Sequence, residues 1–284
     1  MVDNKKCTLL ISCQDAPKIV ASITNIIAAN KGNIEKLEQY TNSTTNQFSL
    51  RIKWIAETDN TEFWQDKFNK IFNEFAITYQ LYNEHHKENL AILVSKEAHC
   101  LYDLLANHQS NRLNANIAFV ASNHMDLKET VEQFGYKFIH CPILNKDKET
   151  QEQLLLNLMH EHKVTAVVLA RYMQILSSNF ISHYPNKIIN IHHSFLPAFI
   201  GAKPYLQAWN KGVKMIGATS HFVTTDLDQG PIICQSTKPI SYEDSVKDLI
   251  DIGKTIEQQN LTKAVKLYIN HKILVENSKT VIFK

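Results

Sequence analysis

A carboxamide and an imidazole stand two residues apart in residues 188–193, an apolar segment that predicts a buried strand. A strand repeats every two residues, so Asn190 and His192 are expected on one face and the isoleucine between them on the other. An amide N–H can stabilise an oxyanion, and an imidazole can donate a proton to a leaving group. The pair therefore suits chemistry at a carbonyl carbon, but it lacks a group that activates a nucleophile.

Carboxylates for that task lie downstream in residues 225–230 (Thr-Asp-Leu-Asp-Gln-Gly), one short strand after His221. Other interpretations remain open at this point. His192, His193 and His221 could bind zinc, although a further ligand from afar makes this a weak pattern. Asn190 could cap the following turn, and the two aspartates could belong to a solvated turn. Spacing alone indicates carbonyl or phosphoryl chemistry.

Backbone freedom is concentrated near this candidate site. The chain has only seven glycines, and four of them lie within thirty residues of one another: Gly201, Gly212, Gly217 and Gly230. Because glycine permits turns and close backbone approaches, a site built from loops is expected in this region.

Composition limits the classes of function. The 284 residues are 44% hydrophobic and 20% charged, which is ordinary for a globular protein and favours two domains. A net charge of +2 argues against a nucleic-acid partner. Five scattered cysteines without a C-x-x-C pair favour free thiols in a reducing compartment. The chain has no apolar run long enough for a membrane span and no signal-like N-terminus, so we expect a cytoplasmic protein without a membrane partner.

The first 83 residues predict a βαββαβ, or ferredoxin-like, domain. Strands are expected at 7–13, 33–40, 48–55 and 77–81, and helices at 18–31 and 62–75. The first helix should bury a face of isoleucines and end at Gly32 in a left-handed cap. The second helix has an aromatic face, which we assign to core packing. Residues 84–88 are polar and predict a linker.

From residue 89 the pattern changes to apolar runs that alternate with amphipathic helices. The runs are 90–94, 117–121, 138–143, 166–169 and 188–191, and the helices are expected at 98–107, 127–134, 151–160 and within 243–270. This alternation predicts an α/β domain over residues 89–284, with a Rossmann-like, mostly parallel sheet and helices on both faces. Chemistry in such sheets gathers at the carboxyl ends of the strands. Residues 281–283 are too short to place.

Two segments resemble the signatures of folate-dependent formyl transferases and their hydrolase relatives. They are residues 190–197 (Asn-Ile-His-His-Ser-Phe-Leu-Pro) and 221–233 (His-Phe-Val-Thr-Thr-Asp-Leu-Asp-Gln-Gly-Pro-Ile-Ile), in the expected order and at the expected distance. Residues 94–105, 168–177 and 198–205 are similar to 10-formyltetrahydrofolate deformylases in particular. The resemblance covers essentially the whole chain. It implies an ACT domain at 1–83 and a formyltransferase-type catalytic domain at 89–284.

By motif position, the resemblance implies a catalytic trio of Asn190, His192 and Asp228, with His221 as a supporting histidine. Asp226 is not the matching carboxylate. The resemblance also implies a pterin pocket, because an apolar slot suits a flat heterocycle, with plain core packing as the alternative. The pocket residues are Met173, Gln174, Ile175, Leu176, Phe180, Ile181, Val223, Thr224, Thr225 and Asp226.

The implied reaction is hydrolysis of 10-formyltetrahydrofolate to tetrahydrofolate and formate, with no cofactor and no metal. It would supply formate and balance one-carbon folate pools for purine synthesis. In this hypothesis Asp228 orients and deprotonates water, while Asn190 and His192 stabilise the oxyanion. His192 or water then protonates N10, the nitrogen that leaves.

Formyl transfer to a small amine of the glycinamide ribonucleotide type is the alternative reaction. Transferases that act on a ribonucleotide amine have a glycine-rich phosphate loop after the first strand of this sheet. Residues 94–100 (Val-Ser-Lys-Glu-Ala-His-Cys) contain no glycine and add a carboxylate, which favours water as the acceptor. A folate-binding or amino-acid-sensing protein without activity is the remaining alternative, which an intact catalytic trio disfavours.

The ACT resemblance implies control by methionine or glycine, with Asp15, Asn33 and Ile34 as effector contacts. Effector loops of this family commonly read Asp-x-Pro-Gly, whereas Lys18 stands at the position of the glycine. The domain is therefore expected to serve oligomerisation, since edge strands pair readily between subunits, and the chain is expected to form a homo-oligomer. Whether Lys203 contacts the glutamate tail of the folate stays open.

Overall fold

The computed structural model describes residues 5–144, 147–198 and 204–284. Strands β1 (Lys5–Gln14), β2 (Asn33–Asn42), β3 (Gln47–Ala56) and β4 (Thr78–Asn83) form an antiparallel sheet in the order β2-β3-β1-β4. Helices α1 (Ile19–Ala29) and α2 (Thr61–Glu74) complete a βαββαβ order. The ferredoxin-like prediction is confirmed, and this arrangement fits an ACT-like domain.

The core of this N-terminal sheet combines an aliphatic face with aromatic rings. Ile19, Ile23 and Ile27 of α1 are buried, as the periodicity of the sequence predicts. Trp64 of α2 meets Trp54 of β3 edge to face, with ring centroids 5.1 Å apart. The aromatic face of α2 therefore packs in the core.

The left-handed cap predicted at Gly32 is wrong. The positive φ belongs to Lys31, at 60°. Glycine is required at position 32 by space, because a Cβ there would lie 2.5 Å from Cγ2 of Ile27 and 2.9 Å from its carbonyl oxygen. A close contact selects the glycine, and no periodicity in the sequence could have indicated that contact.

Residues 271–284 belong with the N-terminal unit, which otherwise extends to His86, whereas the sequence boundary placed 89–284 in one catalytic domain. Strands β12 (Ile273–Glu276) and β13 (Lys279–Ile282) form a hairpin. Leu274 and Phe283 pack with Leu10 of β1 in a small buried cluster. The short segment at 281–283 thus gains its burial from a strand more than 260 residues away, which no local pattern reveals.

The second unit, Lys87–Asn270, contains a seven-stranded sheet. Its strands are β5 (Asn89–Val94), β6 (Asn116–Ser122), β7 (Phe138–His140), β8 (Ala166–Leu169), β9 (Ile188–His192), β10 (Met215–Phe222) and β11 (Ile232–Pro239). The order is β11-β10-β9-β8-β5-β6-β7. Strands β5 to β9 pair in parallel, whereas β10 pairs antiparallel with β9 and β11 pairs antiparallel with β10. The prediction of a Rossmann-like, mostly parallel sheet is confirmed.

Six helices accompany this sheet in the described part of the unit. They are α3 (His99–Gln109), α4 (Lys128–Gln133), α5 (Lys148–Glu161), α6 (Ser178–His183), α7 (Pro204–Asn210) and α8 (Val246–Ile269). The predicted segment 243–270 is one helix, started by a capping box of Ser245 and Asp248. Across residues 5–144, 147–198 and 204–284, no helix is both long and apolar enough to cross a bilayer.

Strand β10 was not among the predicted apolar runs, although it is buried almost throughout. Its sequence, Met-Ile-Gly-Ala-Thr-Ser-His-Phe, is made largely of small and polar residues without a clear alternation. Small residues are needed because a Cβ at Gly217 would lie 2.5 Å from the carbonyl oxygen of Ser236 on β11. Tertiary packing thus overrides the weak strand propensity of this segment.

The strand order reverses at β5, which lies between β8 and β6. Such a reversal leaves a crevice outside the carboxyl ends of the strands, where α/β proteins bind ligands. Ser95 follows β5, and its backbone N–H donates to the carbonyl oxygen of Arg171, which follows β8. His192 ends β9 in the same parallel array.

Candidate active site

Two adjacent strands hold Asn190 and His221 side by side. The antiparallel register of β9 and β10 places these residues directly opposite each other, and Nδ2 of Asn190 lies 3.2 Å from Nε2 of His221. Nδ1 of His221 donates to the carbonyl oxygen of Phe222 at 2.9 Å, so Nε2 of the neutral ring accepts from the amide. This contact fixes the amide of Asn190 and leaves its second N–H for a ligand.

Asp228 reaches the same place from the loop between β10 and β11. Its Oδ2 lies 3.2 Å from Nδ1 of His192, and its Oδ1 lies 3.6 Å from Nε2 of His221. The hydrogen bond from His192 holds the pKa of Asp228 well below its ordinary value, although burial opposes it. Asp228 is therefore ionised at neutral pH.

The second ring nitrogen of His192 is the open position of the site. Nδ1 faces Asp228, while Nε2 is buried and has no hydrogen-bond partner among the described residues. Buried polar atoms are nearly always paired, so an unpaired one on the wall of a cavity indicates a contact reserved for a ligand. The imidazole is thus held on one side and available on the other.

Two backbone features bring the Asp228 loop back over the strands. Asp228 itself has a φ of 56°, a left-handed conformation that aspartate tolerates better than most residues. At Gly230 a Cβ would lie 1.7 Å from the carbonyl oxygen of Phe222, so no other residue fits without moving the backbone. Among the described glycines of this region, Gly230 is the one that shapes the site.

A cavity of about 280 Å³ adjoins these side chains, near the lower end of the range typical of small-molecule sites. Eight of the ten sequence-predicted pocket residues line it: Met173, Gln174, Ile175, Leu176, Ile181, Val223, Thr224 and Thr225. Met173 and Ile175 are 57% and 62% exposed, which is unusual for apolar side chains and typical of a binding surface. The structure places Phe180 in the core instead, and Asp226 is exposed outside the lining.

Arg171 and His193 also line the cavity, although no pattern in the sequence assigns them to a substrate site. Nη1 of Arg171 lies 2.7 Å from Nδ1 of His193. Burial, and then the charge of Arg171, lower the pKa of His193 to about 4. A guanidinium at this nitrogen disfavours the zinc alternative for His193. The signal in the sequence that could have indicated Arg171 is its position, since a charged residue stands two positions after the buried strand β8.

The segment after β5 is crosslinked through side chains and contains no glycine. Oγ of Ser95 accepts from the backbone N–H of Met173 at 3.0 Å and donates to Oδ1 of Asn123 at 2.9 Å. Glu97 pairs with Lys254 at 3.2 Å, which leaves a carboxylate at the start of α3. A phosphate would meet side chains here, among them a paired carboxylate, rather than the glycine-rich backbone that cradles phosphates.

The residues expected to bind an effector lie in the N-terminal unit, at two chain turns. Asp15 and Asn33 are exposed, and Ile34 is half-buried at the start of β2. Lys18 has a φ of 80°, so the loop keeps the left-handed conformation that favours glycine although lysine occupies it. Lys203 lies outside the described residues, as does most of the motif at 198–205.

Comparison with known proteins places this geometry in a family. Residues 88–265 match the family model described as formyl transferase. The chain is 42% identical to a formyltetrahydrofolate deformylase of Synechocystis sp., over 99% of this chain and 100% of that one. It is also 42% identical to a formyltetrahydrofolate deformylase of Bacillus subtilis, over 98% and 94% of the two chains.

Solved structures agree with the sequence relatives. A formyltetrahydrofolate deformylase from Pseudomonas syringae superposes with a TM-score of 0.96 at 37% identity, covering 99% of this chain and 95% of that one. A glycinamide ribonucleotide transformylase from Symbiobacterium toebii gives a TM-score of 0.68 at 29% identity, covering 72% and 98%. The likeness to the deformylase thus extends over both units, whereas the transformylase covers a smaller part of the chain.

The close approach at Gly230 makes a stability prediction. Gly230→Ala should lower the free energy of unfolding by about 3 kcal/mol, because the new methyl group collides with backbone. Gly212→Ala is the matched control. It has open space around it but a φ of 62°, so it should cost only about 1 kcal/mol. Urea denaturation of both variants measures the difference; equal losses would contradict the assigned contact.

Proposed function

The chain belongs to the formyltetrahydrofolate deformylases of the formyl transferase family, and we propose that it hydrolyses 10-formyltetrahydrofolate to tetrahydrofolate and formate. The observation that carries this conclusion is the convergence of Asn190, His192 and Asp228 on one wall of the cavity. A fixed amide N–H, a half-free imidazole and an ionised carboxylate are the groups that hydrolysis of a formamide needs.

The apolar part of the cavity would hold the pterin ring of the substrate. Leu176, Ile181 and Val223 give it buried or half-buried apolar walls, while Met173 and Ile175 lie exposed at its edge. A flat heterocycle gains free energy by covering such side chains, and backbone groups along the wall can pair with its polar edge. Binding there would place the formyl group, which is carried beyond the ring, near the catalytic trio.

The first chemical step forms a bond from the oxygen of water to the formyl carbon. A carboxylate with a strongly lowered pKa is a weak base, so Asp228 is better suited to orient the water and to hold Nδ1–H of His192. Nε2 of His192, which has no protein partner among the described residues, then takes the proton of the water. Asp228 stabilises the resulting imidazolium, and the two groups titrate as a coupled pair.

The second step breaks the bond between the formyl carbon and N10. The electron pair of that bond goes to N10, whose conjugation with an aryl ring makes it a better leaving group than an alkyl amine. His192 returns its proton to N10, which gives tetrahydrofolate, while the carbon leaves as formic acid, which releases the second proton of the water to solvent and becomes formate. Asn190 donates its free N–H to the oxyanion throughout, since its amide is held by His221.

Water is favoured over an amine as the acceptor because of the segment after β5. Ser95 is already engaged with the cavity wall, and the segment carries the Lys254-paired carboxylate of Glu97 instead of the glycines whose backbone would cradle a phosphate. Transfer to glycinamide ribonucleotide is therefore the weaker alternative. The two reactions are separated by measuring formate release with and without that amine.

Substitutions of the trio test the reaction. Asp228→Asn should lower kcat for formate release by about 10²–10⁴, because His192 loses the charge that stabilises its imidazolium. Asn190→Ala should lower it by about 10²–10³, the usual effect of removing one oxyanion donor. Stopped-flow or coupled detection of formate from 10-formyltetrahydrofolate in water alone measures both.

Asp251→Asn is the control for these variants, since it removes an exposed carboxylate of α8 and should leave kcat within about twofold. Near-parental formate release by Asp228→Asn would contradict the assignment of the carboxylate. Formate release that appears only with the added amine would contradict hydrolysis itself.

The assignment of the pterin wall gives a separate prediction. Ile175→Ala should raise KM by about 5–30-fold with kcat changed little. The substitution removes three side-chain carbons that would contact the pterin ring. A fully buried carbon contributes roughly 0.8 kcal/mol, and we expect only part of that contribution at each of these carbons. Ile232→Ala is the control, since Ile232 is an exposed isoleucine outside the lining of this cavity. Steady-state kinetics with varied substrate distinguish the two; an unchanged KM for Ile175→Ala would place the substrate elsewhere.

For the N-terminal unit we propose a role in pairing copies of the chain, with amino-acid binding weakened by Lys18. The ten-residue edge strand β2 supports pairing, and the lysine at a position shaped for glycine supports the loss of effector affinity. Light scattering should give at least twice the 32.6 kDa of one chain. Calorimetry with methionine and with glycine should show tighter binding to Lys18→Gly than to the parent. A monomer would contradict the pairing of chains. Equal binding of the amino acids to the parent and to Lys18→Gly would contradict the role given to Lys18.

A further inference from the structure

A buried carboxylate beside the cavity is surrounded by donors. Glu257 of α8 accepts from Nε2 of His99 at 2.8 Å and from the hydroxyl of Tyr205 at 2.5 Å, and it pairs with Nε of Arg171 at 3.4 Å. Burial alone would raise its pKa, but these three partners together lower the pKa below its ordinary value. Glu257 is therefore an ionised group that holds the guanidinium of Arg171 in place.

Two unfavourable backbone features accompany this network. Arg171 has a φ of 63°, a backbone conformation that is unfavourable for residues other than glycine, asparagine and aspartate. Gly253 lies inside α8, where glycine weakens a helix, and a Cβ there would lie 2.1 Å from the hydroxyl oxygen of Tyr205. Both features let a specific side chain reach Glu257, and strain of this kind concentrates at functional sites.

The network is built around a guanidinium rather than a metal ion. His99, Cys100 and Glu257 do bring ligand atoms within 4.8 Å of one another. Arg171 already neutralises the carboxylate, however, and burial raises the pKa of the Cys100 thiol well above its ordinary value, which keeps the sulfur protonated. The group on which this cluster acts therefore lies at the other end of the Arg171 guanidinium, away from Glu257.

That group is His193. Nη1 of Arg171 lies 2.7 Å from Nδ1 of His193, and a guanidinium can only donate hydrogen bonds. Nδ1 of His193 must therefore accept, which requires the neutral ring with its proton on Nε2. His193 is half-buried on the wall of the catalytic cavity, and its ring centroid lies 5.0 Å from that of His192.

The surroundings of His193 keep the ring neutral. The titratable and charged groups that face it are Arg171, His192, Tyr205, Asp228 and Glu257. Burial and the adjacent guanidinium outweigh the carboxylates and lower the pKa of His193 to about 4. An imidazolium here would also repel the imidazolium that forms on His192 during the reaction.

We propose that His193 is a second hydrogen-bond donor to the formyl oxygen, locked as the neutral Nε2–H tautomer by Arg171, which Glu257 in turn holds in position. This inference rests on the proposed hydrolysis. Asn190 and His193 would then supply two N–H groups to the developing oxyanion, as oxyanion holes commonly do. Because His193 does not change charge at working pH, His192 alone exchanges protons with the substrate.

The protonation state of His193 is tested directly by nuclear magnetic resonance. In the full chain labelled with ¹⁵N and ¹³C histidine, the signals of His193 are those missing from His193→Gln. In the parent they should report the neutral Nε2–H tautomer down to about pH 5. In Arg171→Met the pKa of His193 should rise toward the ordinary value of about 6.5, and both tautomers should appear.

Arg112→Met is the matched control, since it removes an exposed guanidinium of the same unit and should leave His193 unchanged. A parent protein with the proton on Nδ1, or an Arg171→Met variant with an unchanged pKa, would overturn the lock. Apart from the His193→Gln sample that assigns the signals, the measurement on the parent needs no substitution, so misfolding of Arg171→Met cannot hide the tautomer of His193.

The role in catalysis is tested by two substitutions at one position. His193→Gln keeps an N–H near the place of Nε2 and should retain kcat within about tenfold of the parent. His193→Leu keeps the bulk but removes the donor, and should lower kcat by about 10²–10³ with KM changed little. Parental kcat in His193→Leu would overturn the inference while leaving the hydrolysis intact. A parent that releases no formate would overturn the proposed function, and this catalytic role with it.

Discussion

The hydrogen bond between the ionised Asp228 and Nδ1 of His192 is the interaction on which the site depends. A carboxylate that is largely removed from water is stable only when it is paired, and here the partner is a strand-end imidazole 3.2 Å away. The pairing decides which nitrogen of His192 is left without a hydrogen-bond partner among the described residues. It also explains the left-handed Asp228 and the close packing of Gly230, because both bend the loop back far enough to make the contact.

A second carboxylate, the buried Glu257, pairs with Arg171 beside the same cavity. Asp228 contacts the imidazole to which we assign the proton exchange, and Glu257 pairs with a guanidinium next to the imidazole that we propose stays neutral. Two adjacent histidines can thus take different states because their charged neighbours differ. The parallel sheet makes this possible, since the ends of β8 and β9 place Arg171 and His192 at one edge.

Prediction from the sequence succeeded where the burial of a side chain follows from a periodic pattern of residue types along the chain. The isoleucines of α1 and the apolar runs of the parallel strands carry their periodicity locally, so the two folds could be recognised. It failed at Gly32 and at strand β10, where a contact with a distant segment selects the residue. It also divided the chain too simply, since the hairpin at 273–282 packs with β1.

The sequence by itself determined the residue types of the site and the facts that depend on order along one strand. Asn190 and His192 share a face because a strand has a period of two, and this follows from spacing alone. Only the tertiary structure decided that Asp228 contacts His192, that Arg171 contacts His193 and that Glu257 pairs with Arg171. Those contacts join residues up to 86 positions apart, and a hydrogen bond depends on distance in space rather than on separation along the chain.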